Sequence, residues 1–203
     1  MPKPVASVVG VMIRNLATTQ RELTSNVFLV EGDRTVLVDV GSGFDVVSKT
    51  RDYVEDIDAV VVTHTHYDHV DNIDVVTEAF GVESWGYDTS HDAVDNEIAD
   101  GDTVDIGSHS YEALHTPGHK NDHLCLYAQT SDVLFAGDLV FANGGFGRTD
   151  LDEGDHELLV ESIERVLDAV DDDLQELHTG HGPSVTTNPR QDIELALQAA
   201  RMR

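Results

Sequence analysis

Apolar positions along the chain alternate between short runs and longer segments with helical spacing. Apolar or alternating runs of about four to eight residues predict strands, and apolar residues recurring every three to four positions predict amphipathic helices. Strands are predicted at 5–13, 26–32, 35–41, 58–64, 82–88, 102–108, 109–116, 123–129, 132–138 and 174–180. Helices are predicted at 44–56, 70–81, 155–170 and 188–202. This mixture in both halves of the chain predicts an α/β fold in which helices cover the sheets.

Turn residues mark where several of these elements begin or end. Two polar residues after Gly32 separate the second and third predicted strands, which is a hairpin signal. Gly81 ends the second predicted helix, and Pro189 lies in the first turn of the last one. Because no repeat, low-complexity segment or linker interrupts the pattern, we expect residues 1–203 to form a single domain.

Polar side chains that could carry chemistry fall where predicted strands end. His64, Asp138 and His181 each lie at or just beyond the end of an apolar strand, and His119 follows another one. Functional groups collect on such loops because the scaffold beneath them is rigid. Asp138 ends an otherwise apolar strand, where a carboxylate is costly to bury unless it is paired or bound to a metal.

The densest group of candidate ligands is VVTHTHYDHVDN, residues 61–72. His64 and His66 are two positions apart in an extended segment, so their side chains project to one side and can share one ion. The chain then turns into a helix, which lets Asp68 and His69 reach a second point nearby. The pattern H-x-H-x-D-H would arise by chance in roughly one of several hundred sequences of this length and composition.

The order of these motifs resembles the metallo-β-lactamase superfamily over nearly the whole chain. The resemblance rests on LVDVGSG (37–43), THTHYDH (63–69), TPGH (116–119), GD (137–138) and GHG (180–182). It implies an αββα sandwich, in which two mixed β-sheets pack face to face and helices lie on the outer faces.

The resemblance also implies two divalent metal ions, zinc above all, with iron or manganese as alternatives. Seven side chains would hold them: His64, His66 and His119 at one ion, Asp68, His69 and His181 at the other, and Asp138 as the bridge. Asp39 matches the family's buried aspartate beneath the ligand loop, where it would hold ligand geometry. Its alternative role is to accept turn amides at a strand end.

The family chemistry is hydrolysis by a hydroxide held between two metal ions. Asp68 would orient the water and pass on its proton, and Asp138 would bridge the ions. No serine or cysteine nucleophile is evident, since Cys125 lies in an apolar run and is expected in the core. His123 is expected to make a structural hydrogen bond. Five other histidines are expected on the surface or in strands: His91, His109, His115, His156 and His178.

The segment 141–155, FANGGFGRTDLDEGD, resembles the one that follows the bridging aspartate in glyoxalase II and in persulfide dioxygenases. Arg148 would then face a carboxylate of a thiol conjugate, although an ion pair with Asp150 or Asp152 is an equal alternative. We therefore expect hydrolysis of a small acyl thioester. Only one helix is predicted after His181 and basic residues are few, so glutathione itself is not the expected thiol.

Two other functions of the same family stay open at this point. A persulfide dioxygenase would use one iron at positions matching His64, His119 and Asp138, and a ribonuclease Z-like nuclease shares the H-x-H-x-D-H motif. The complete second ligand set favours a binuclear hydrolase. The absence of a basic cluster or an inserted arm favours a small-molecule substrate over nucleic acid.

The composition is strongly acidic, with 39 acidic and 12 basic residues and a net charge of -27. The acids are spread along the whole chain, a pattern typical of proteins from salt-loving organisms, and they disfavour binding to a polyanion. One cysteine allows no internal disulfide. The apolar run that ends near Arg14 is short for a secretory signal, and no run approaches the roughly 20 apolar residues that cross a bilayer. We expect a cytoplasmic protein that does not associate with membranes.

The charge predicts that stability depends on salt. At low ionic strength the acidic groups repel one another, whereas at about 1 M salt the Debye length falls to about 3 Å. The melting temperature should therefore rise steadily from about 0.1 M to several molar KCl, through screening and through strengthened apolar burial. A melting temperature that does not change over this range would contradict the salt adaptation.

Overall fold

The computed structural model describes residues 12–17 and 24–203, which form two mixed β-sheets with helices outside them and a separate antiparallel pair of two-residue strands. The first half contains β1 (Met12–Asn15), β2 (Phe28–Glu31), β3 (Val36–Val38), α1 (Val46–Arg51), β4 (Ala59–Val61), α2 (Tyr67–Val70), α3 (Ile73–Phe80), β5 (Ser84–Gly86) and β6 (Asn96–Glu97). The second half contains β7 (Thr103–Ile106), β8 (His109–His115), β9 (Leu124–Ala128), β10 (Val133–Gly137), β11 (Val140–Phe141), β12 (Gly145–Phe146), α4 (His156–Ala169), β13 (Glu176–Thr179) and α5 (Pro189–Arg201).

Both sheets combine parallel and antiparallel pairs, as the fold prediction requires. The first has the order β1-β2-β3-β4-β5-β6, antiparallel up to β3 and parallel beyond it. The second has the order β13-β10-β9-β8-β7, in which only β10 and β13 run parallel. The predicted hairpin is β2–β3, with Phe28 opposite Val38.

The alternation of side chains along the strands builds three apolar layers. In β3, Val36 and Val38 face the other sheet, while Leu37 faces the cluster that contains residues of α1 and α3. In β9, Leu126 belongs to the layer between the sheets and Cys125 to the layer under α4 and α5. All five residues of β9 are buried, as expected for a strand covered on both faces. Cys125 is a core residue, and burial raises the pKa of its thiol to about 12.

The structure departs from the sequence predictions in a few places. Most of the first predicted strand lies outside the described residues, which show only its end in β1. The predicted helix 70–81 is divided into α2 and α3 by a break at Asn72. There the side-chain amide of Asn72 donates to the carbonyl of Val40, and its backbone N–H donates to the carbonyl of Gly41. Gly81 ends α3 in the left-handed conformation, with φ 68°. The two-residue strands β6, β11 and β12 were not predicted, since they are too short for a periodic signal.

The polar strand ends meet at one edge of the sandwich. The loops that follow β3, β4, β10 and β13 lie side by side there, because β3 is parallel to β4 and β10 to β13. Asn26 joins the two sheets at this edge. Its amide donates to the carbonyls of Thr179 and Gly182 at 2.7 and 2.9 Å, which fixes the loop that carries His181. Among the described residues, no helix is long and apolar enough to cross a membrane.

Candidate metal centre

The fold brings all seven predicted ligands together in adjoining clusters, within which the candidate ligand atoms lie no more than 4.8 Å apart. The clusters are His64, His66 and His119; His64, His69 and Asp138; and Asp68, His69 and His181. We call the first of these the three-histidine cluster and the last the mixed cluster. Asp138 lies between them, 3.4 Å from the nearest nitrogens of His69, His119 and His181.

The three-histidine cluster consists of neutral imidazoles aimed at one point. His66 Nδ1 lies 3.0 Å from His64 Nε2 and 2.9 Å from His119 Nε2. His119 Nδ1 donates to the Arg148 carbonyl at 2.8 Å, which leaves the Nε2 lone pair directed inward. Burial lowers the pKa of His64 well below its usual value, that of His66 to about 4, and also that of His119. Nitrogen lone pairs this close together fit a divalent cation between them.

The mixed cluster contains buried polar atoms that need a partner. His69 Nε2 and Oδ1 of the neighbouring Asp138 are fully enclosed and face each other at 3.4 Å, yet neither makes a hydrogen bond within the described part of the chain. Leaving such atoms unsatisfied costs about 1–3 kcal/mol each. His181 Nε2 lies 3.1 Å from Asp68 Oδ2, at the open side of the cluster. A cation held by these side chains satisfies both orphaned atoms, so the donor set fits a metal.

The two clusters carry different charges when no metal is bound. Burial opposes protonation of His69, but the carboxylates of Asp39 and Asp138 outweigh it and hold the pKa of His69 well above its usual value. Burial also lowers the pKa of His181, yet hydrogen bonds to Asp138 and Asp68 raise it to about 9. The pKa of Asp138 lies well below its usual range, because the neighbouring imidazoles outweigh its burial. At neutral pH the mixed cluster therefore holds two imidazolium groups among carboxylates.

Asp39 lies directly beneath the ligands, with its backbone in the left-handed region at φ 57°. Its carboxylate accepts the N–H and the hydroxyl of Thr63 and the Nδ1–H of His69, each at 2.8 Å. The bond to His69 keeps the Nδ1 proton in place, so Nε2 is the nitrogen that would exchange its proton for a cation. Asp39 thus accepts a backbone N–H and also hydrogen-bonds the candidate ligand His69, a geometry compatible with both roles considered for it.

Both ring nitrogens of His123 form hydrogen bonds to other protein groups. Nδ1 donates to Thr116 Oγ1 at 2.8 Å, and Nε2 accepts the N–H of Asp138 at 3.0 Å. Burial lowers the pKa of His123 to about 3, so the ring is neutral and this tautomer is fixed. His123 therefore makes the expected structural hydrogen bonds and helps to place the Asp138 backbone.

Two glycines let the chain pass close to Asp138. A Cβ at Gly180 would lie 2.1 Å from Asp138 Oδ1, and a Cβ at Gly147 would lie 2.1 Å from the Asp138 carbonyl oxygen. A side chain at Gly180 would displace the Asp138 carboxylate, and one at Gly147 would displace the Asp138 backbone. The first glycine of the motif G-H-G around His181 thus has a packing reason.

A cleft of about 560 Å³ opens above the clusters. Its apolar wall consists of Tyr67, Phe141, Phe146 and Leu151, and Arg148 lies at its edge. The guanidinium pairs with Asp150 through two bonds of 2.7 and 2.8 Å, with both side chains more than half exposed. The structure thus shows the ion pair that was the alternative for Arg148, at a position that also borders the cleft.

The sequence profile of the metallo-β-lactamase superfamily matches residues 21–181. The chain belongs to this superfamily. It is 34% identical over 151 residues to a hydroxyacylglutathione hydrolase of Chromohalobacter salexigens, covering 73% of this chain and 57% of that protein. It is 29% identical over 159 residues to the hydroxyacylglutathione hydrolase GloC of Haemophilus influenzae, covering 66% of this chain and 74% of GloC. The crystal structure of TTHA1623 in a di-iron-bound form superposes with a TM-score of 0.70 at 25% identity, covering 93% of this chain and 96% of that one.

Superfamily membership and site geometry agree on a divalent-metal centre. The matched region contains every candidate ligand, from His64 to His181. Sequence reasoning missed Asn26, Thr63 and the Arg148 carbonyl, which hold the ligands in place. Their contacts join segments far apart in the chain, so no local sequence pattern predicts them.

The charge difference predicts that the two clusters respond differently to pH. Metal binding to the mixed cluster at pH 7 must displace protons from His69 and His181, so its affinity should rise by at least about tenfold per pH unit between pH 6 and 8. The three-histidine cluster is already deprotonated, so its affinity should change little. Chelator competition with His181→Ala and His66→Ala variants, each retaining one complete cluster, measures the two separately. Equal pH slopes in both variants would contradict this assignment.

Proposed function

We propose that this protein is a binuclear metal-dependent hydrolase that cleaves a small acyl thioester. The observation that carries the proposal is the intact mixed cluster beside the three-histidine cluster, with Asp138 between them. All seven side chains would be present in a single-iron oxygenase as well, but that enzyme would bind its metal only through positions matching His64, His119 and Asp138. The complete set favours two cations, which we expect to be zinc, with iron or manganese as alternatives.

Divalent cations held by these side chains would supply Lewis acidity, which would lower the pKa of a bound water to about 7 and stabilise negative charge on oxygen. The reaction adds water to the thioester carbonyl carbon and breaks the C–S bond, giving a carboxylic acid and a thiol. Asp68 borders the cleft, and its carboxylate is the group we assign to orient the attacking water and accept its proton. Although partial burial raises the pKa of Asp68, its bond to His181 brings the net value below the usual one, so the carboxylate is ionised.

The cleft favours a small and largely apolar acyl group. Phe141, Phe146 and Leu151 offer an apolar wall, and Arg148 is the one arginine or lysine among the residues that line the cleft. Its guanidinium can turn a substrate carboxylate toward the ligands, although Asp150 competes for the same donors. A long polyanion finds little support on a chain with a net charge of -27.

The relatives support a thioester as the scissile group. Both relatives described above carry the name hydroxyacylglutathione hydrolase. The match spans only 57% of the first relative's length, so its thiol carrier is not transferred to this chain. The proposal therefore concerns the thioester bond and does not specify the thiol carrier.

The proposal is tested by metal content and turnover on one preparation in molar salt. Elemental analysis of protein purified without chelator should find two divalent ions per chain. A panel of S-lactoylglutathione, other acyl thioesters, a persulfide and a tRNA precursor should show hydrolysis of at least one acyl thioester. One tightly held iron with oxygen consumption on the persulfide would replace the proposal with oxygen chemistry. RNA cleavage without thioester hydrolysis would replace it with a nuclease.

Arg148 should contribute to binding rather than to the chemical step. Arg148→Ala is expected to raise KM for a carboxylate-bearing thioester several-fold and to leave kcat nearly unchanged, because uniform binding is lost. Arg201→Ala is the matched control, since Arg201 forms a similarly exposed ion pair with Glu164 and does not line the cleft. A fall in kcat at constant KM would instead place the guanidinium in the transition state.

A further inference from the structure

One buried carboxylate near the centre has no place in the ligand set. Asp122 is only 5% exposed and lies three residues after the ligand His119. A buried carboxylate is retained only where strong partners compensate its desolvation. Its partners therefore indicate what it is for.

Asp122 holds the residue between two ligands. Its Oδ2 accepts the N–H of Thr65 at 3.1 Å and the Thr65 hydroxyl at 2.5 Å. Thr65 is itself buried and stands between His64 and His66. Any rotation of the Thr65 backbone would redirect both rings, whose nitrogens converge to 3.0 Å.

The same arrangement occurs one step earlier in the chain. Asp39 accepts the N–H and the hydroxyl of Thr63, as Asp122 does for Thr65. In the segment T-H-T-H, the two threonines are thus each held by a buried carboxylate, and the two histidines are ligands. The backbone on both sides of His64 is fixed by charge-assisted hydrogen bonds, which are roughly twice as strong as neutral ones.

Asp122 is also connected to the third ligand of the same cluster. Lys120 follows His119 directly, and its Nζ lies 3.6 Å from Asp122 Oδ1. The same Nζ donates to both carboxylate oxygens of Glu153 at 3.1 Å. The Lys120 side chain is 12% exposed, so it compensates the buried charge of Asp122 and joins the His119 turn to it.

We propose that Asp122 is a positioning residue, which holds His64 and His66 through Thr65 and thereby sets the divalent-metal affinity of the three-histidine cluster. The inference rests on the proposed metal function and concerns the same site. Outer partners of this kind typically change metal affinity by about 10–100-fold. We expect a loss of that size when the clamp is broken.

The test uses Co²⁺ binding, followed by its visible absorption, with the full chain in a His181→Ala background that retains the three-histidine cluster. Asp122→Asn and Thr65→Val should each weaken Co²⁺ binding about 10–100-fold and change the absorption band, because the ligand geometry relaxes. Thr65→Ser keeps the hydroxyl and should retain the affinity. The double variant Asp122→Asn/Thr65→Val should lose less than the product of the two single effects, since both remove one clamp.

Asp95→Asn is the matched control. Asp95 accepts the N–H and hydroxyl of Ser84 on β5 in the same pattern, at 2.9 and 3.0 Å, and is absent from the three candidate ligand clusters. It should lower the melting temperature without changing Co²⁺ affinity. Wild-type Co²⁺ affinity and spectrum in Asp122→Asn and Thr65→Val would overturn the inference. If Asp122→Asn does not fold, Thr65→Val alone decides it.

Failure of this inference differs visibly from failure of the proposed reaction. Co²⁺ binding is measured without substrate, so a protein that hydrolyses no thioester but loses affinity in both variants would refute the reaction and uphold the clamp. Thioester hydrolysis with unchanged Co²⁺ affinity in both variants would uphold the reaction and refute the clamp.

Discussion

The rest of the site depends on the burial of one carboxylate, Asp138. Its side chain is 9% exposed and faces nitrogens of His69, His119 and His181, each at 3.4 Å. A carboxylate in such surroundings costs several kcal/mol unless cationic partners compensate it. These partners come from helix α2 and from two other loops, so the strands that precede them must end at one edge for Asp138 to be compensated. The sandwich therefore supplies the partners that allow Asp138 to be buried, and the need for these partners in turn fixes where the loops must lie.

The two clusters around Asp138 reach electrical balance in different ways. The three-histidine cluster avoids charge, because its imidazoles are buried and their pKa values are lowered. The mixed cluster instead keeps its protons, which balance Asp39, Asp68 and Asp138. A divalent cation adds positive charge to the three-histidine cluster, whereas in the mixed cluster it replaces the charge of the imidazole protons. The first cation is thus expected to bind at the three-histidine cluster, where no proton must leave. Asp138 couples this binding to that of the second cation, because it faces both clusters.

Most of the strands and the candidate ligands could be predicted from the sequence, because they show in local patterns of residues. Strands such as β9 and β10 are continuous apolar runs, and His64, His66, Asp68 and His69 lie within six positions. The long-range contacts were beyond that reasoning. The bonds from Thr65 to Asp122 and from Asn26 to Thr179 span 57 and 153 positions, and no periodicity encodes them. The strands β11 and β12 were missed because two residues cannot show an alternation.

The abundance of aspartate has a structural use besides hydration. Aspartate carboxylates accept backbone N–H groups throughout the described part of the chain, at Asp39, Asp45, Asp58, Asp88, Asp95, Asp100, Asp102, Asp122, Asp155 and Asp192. The short side chain of aspartate suits such turns and helix starts.

These aspartates divide by exposure into two groups with different electrostatics. Asp45 and Asp155 cap helices at the surface, where added salt screens their charge. Asp39 and Asp122 are buried, and buried pairs are screened much less, so their bonds to Thr63 and Thr65 should persist at any ionic strength. Salt therefore acts on the acidic surface and on the cohesion of the fold, whereas the geometry of the ligand segment is set by charges that salt does not reach.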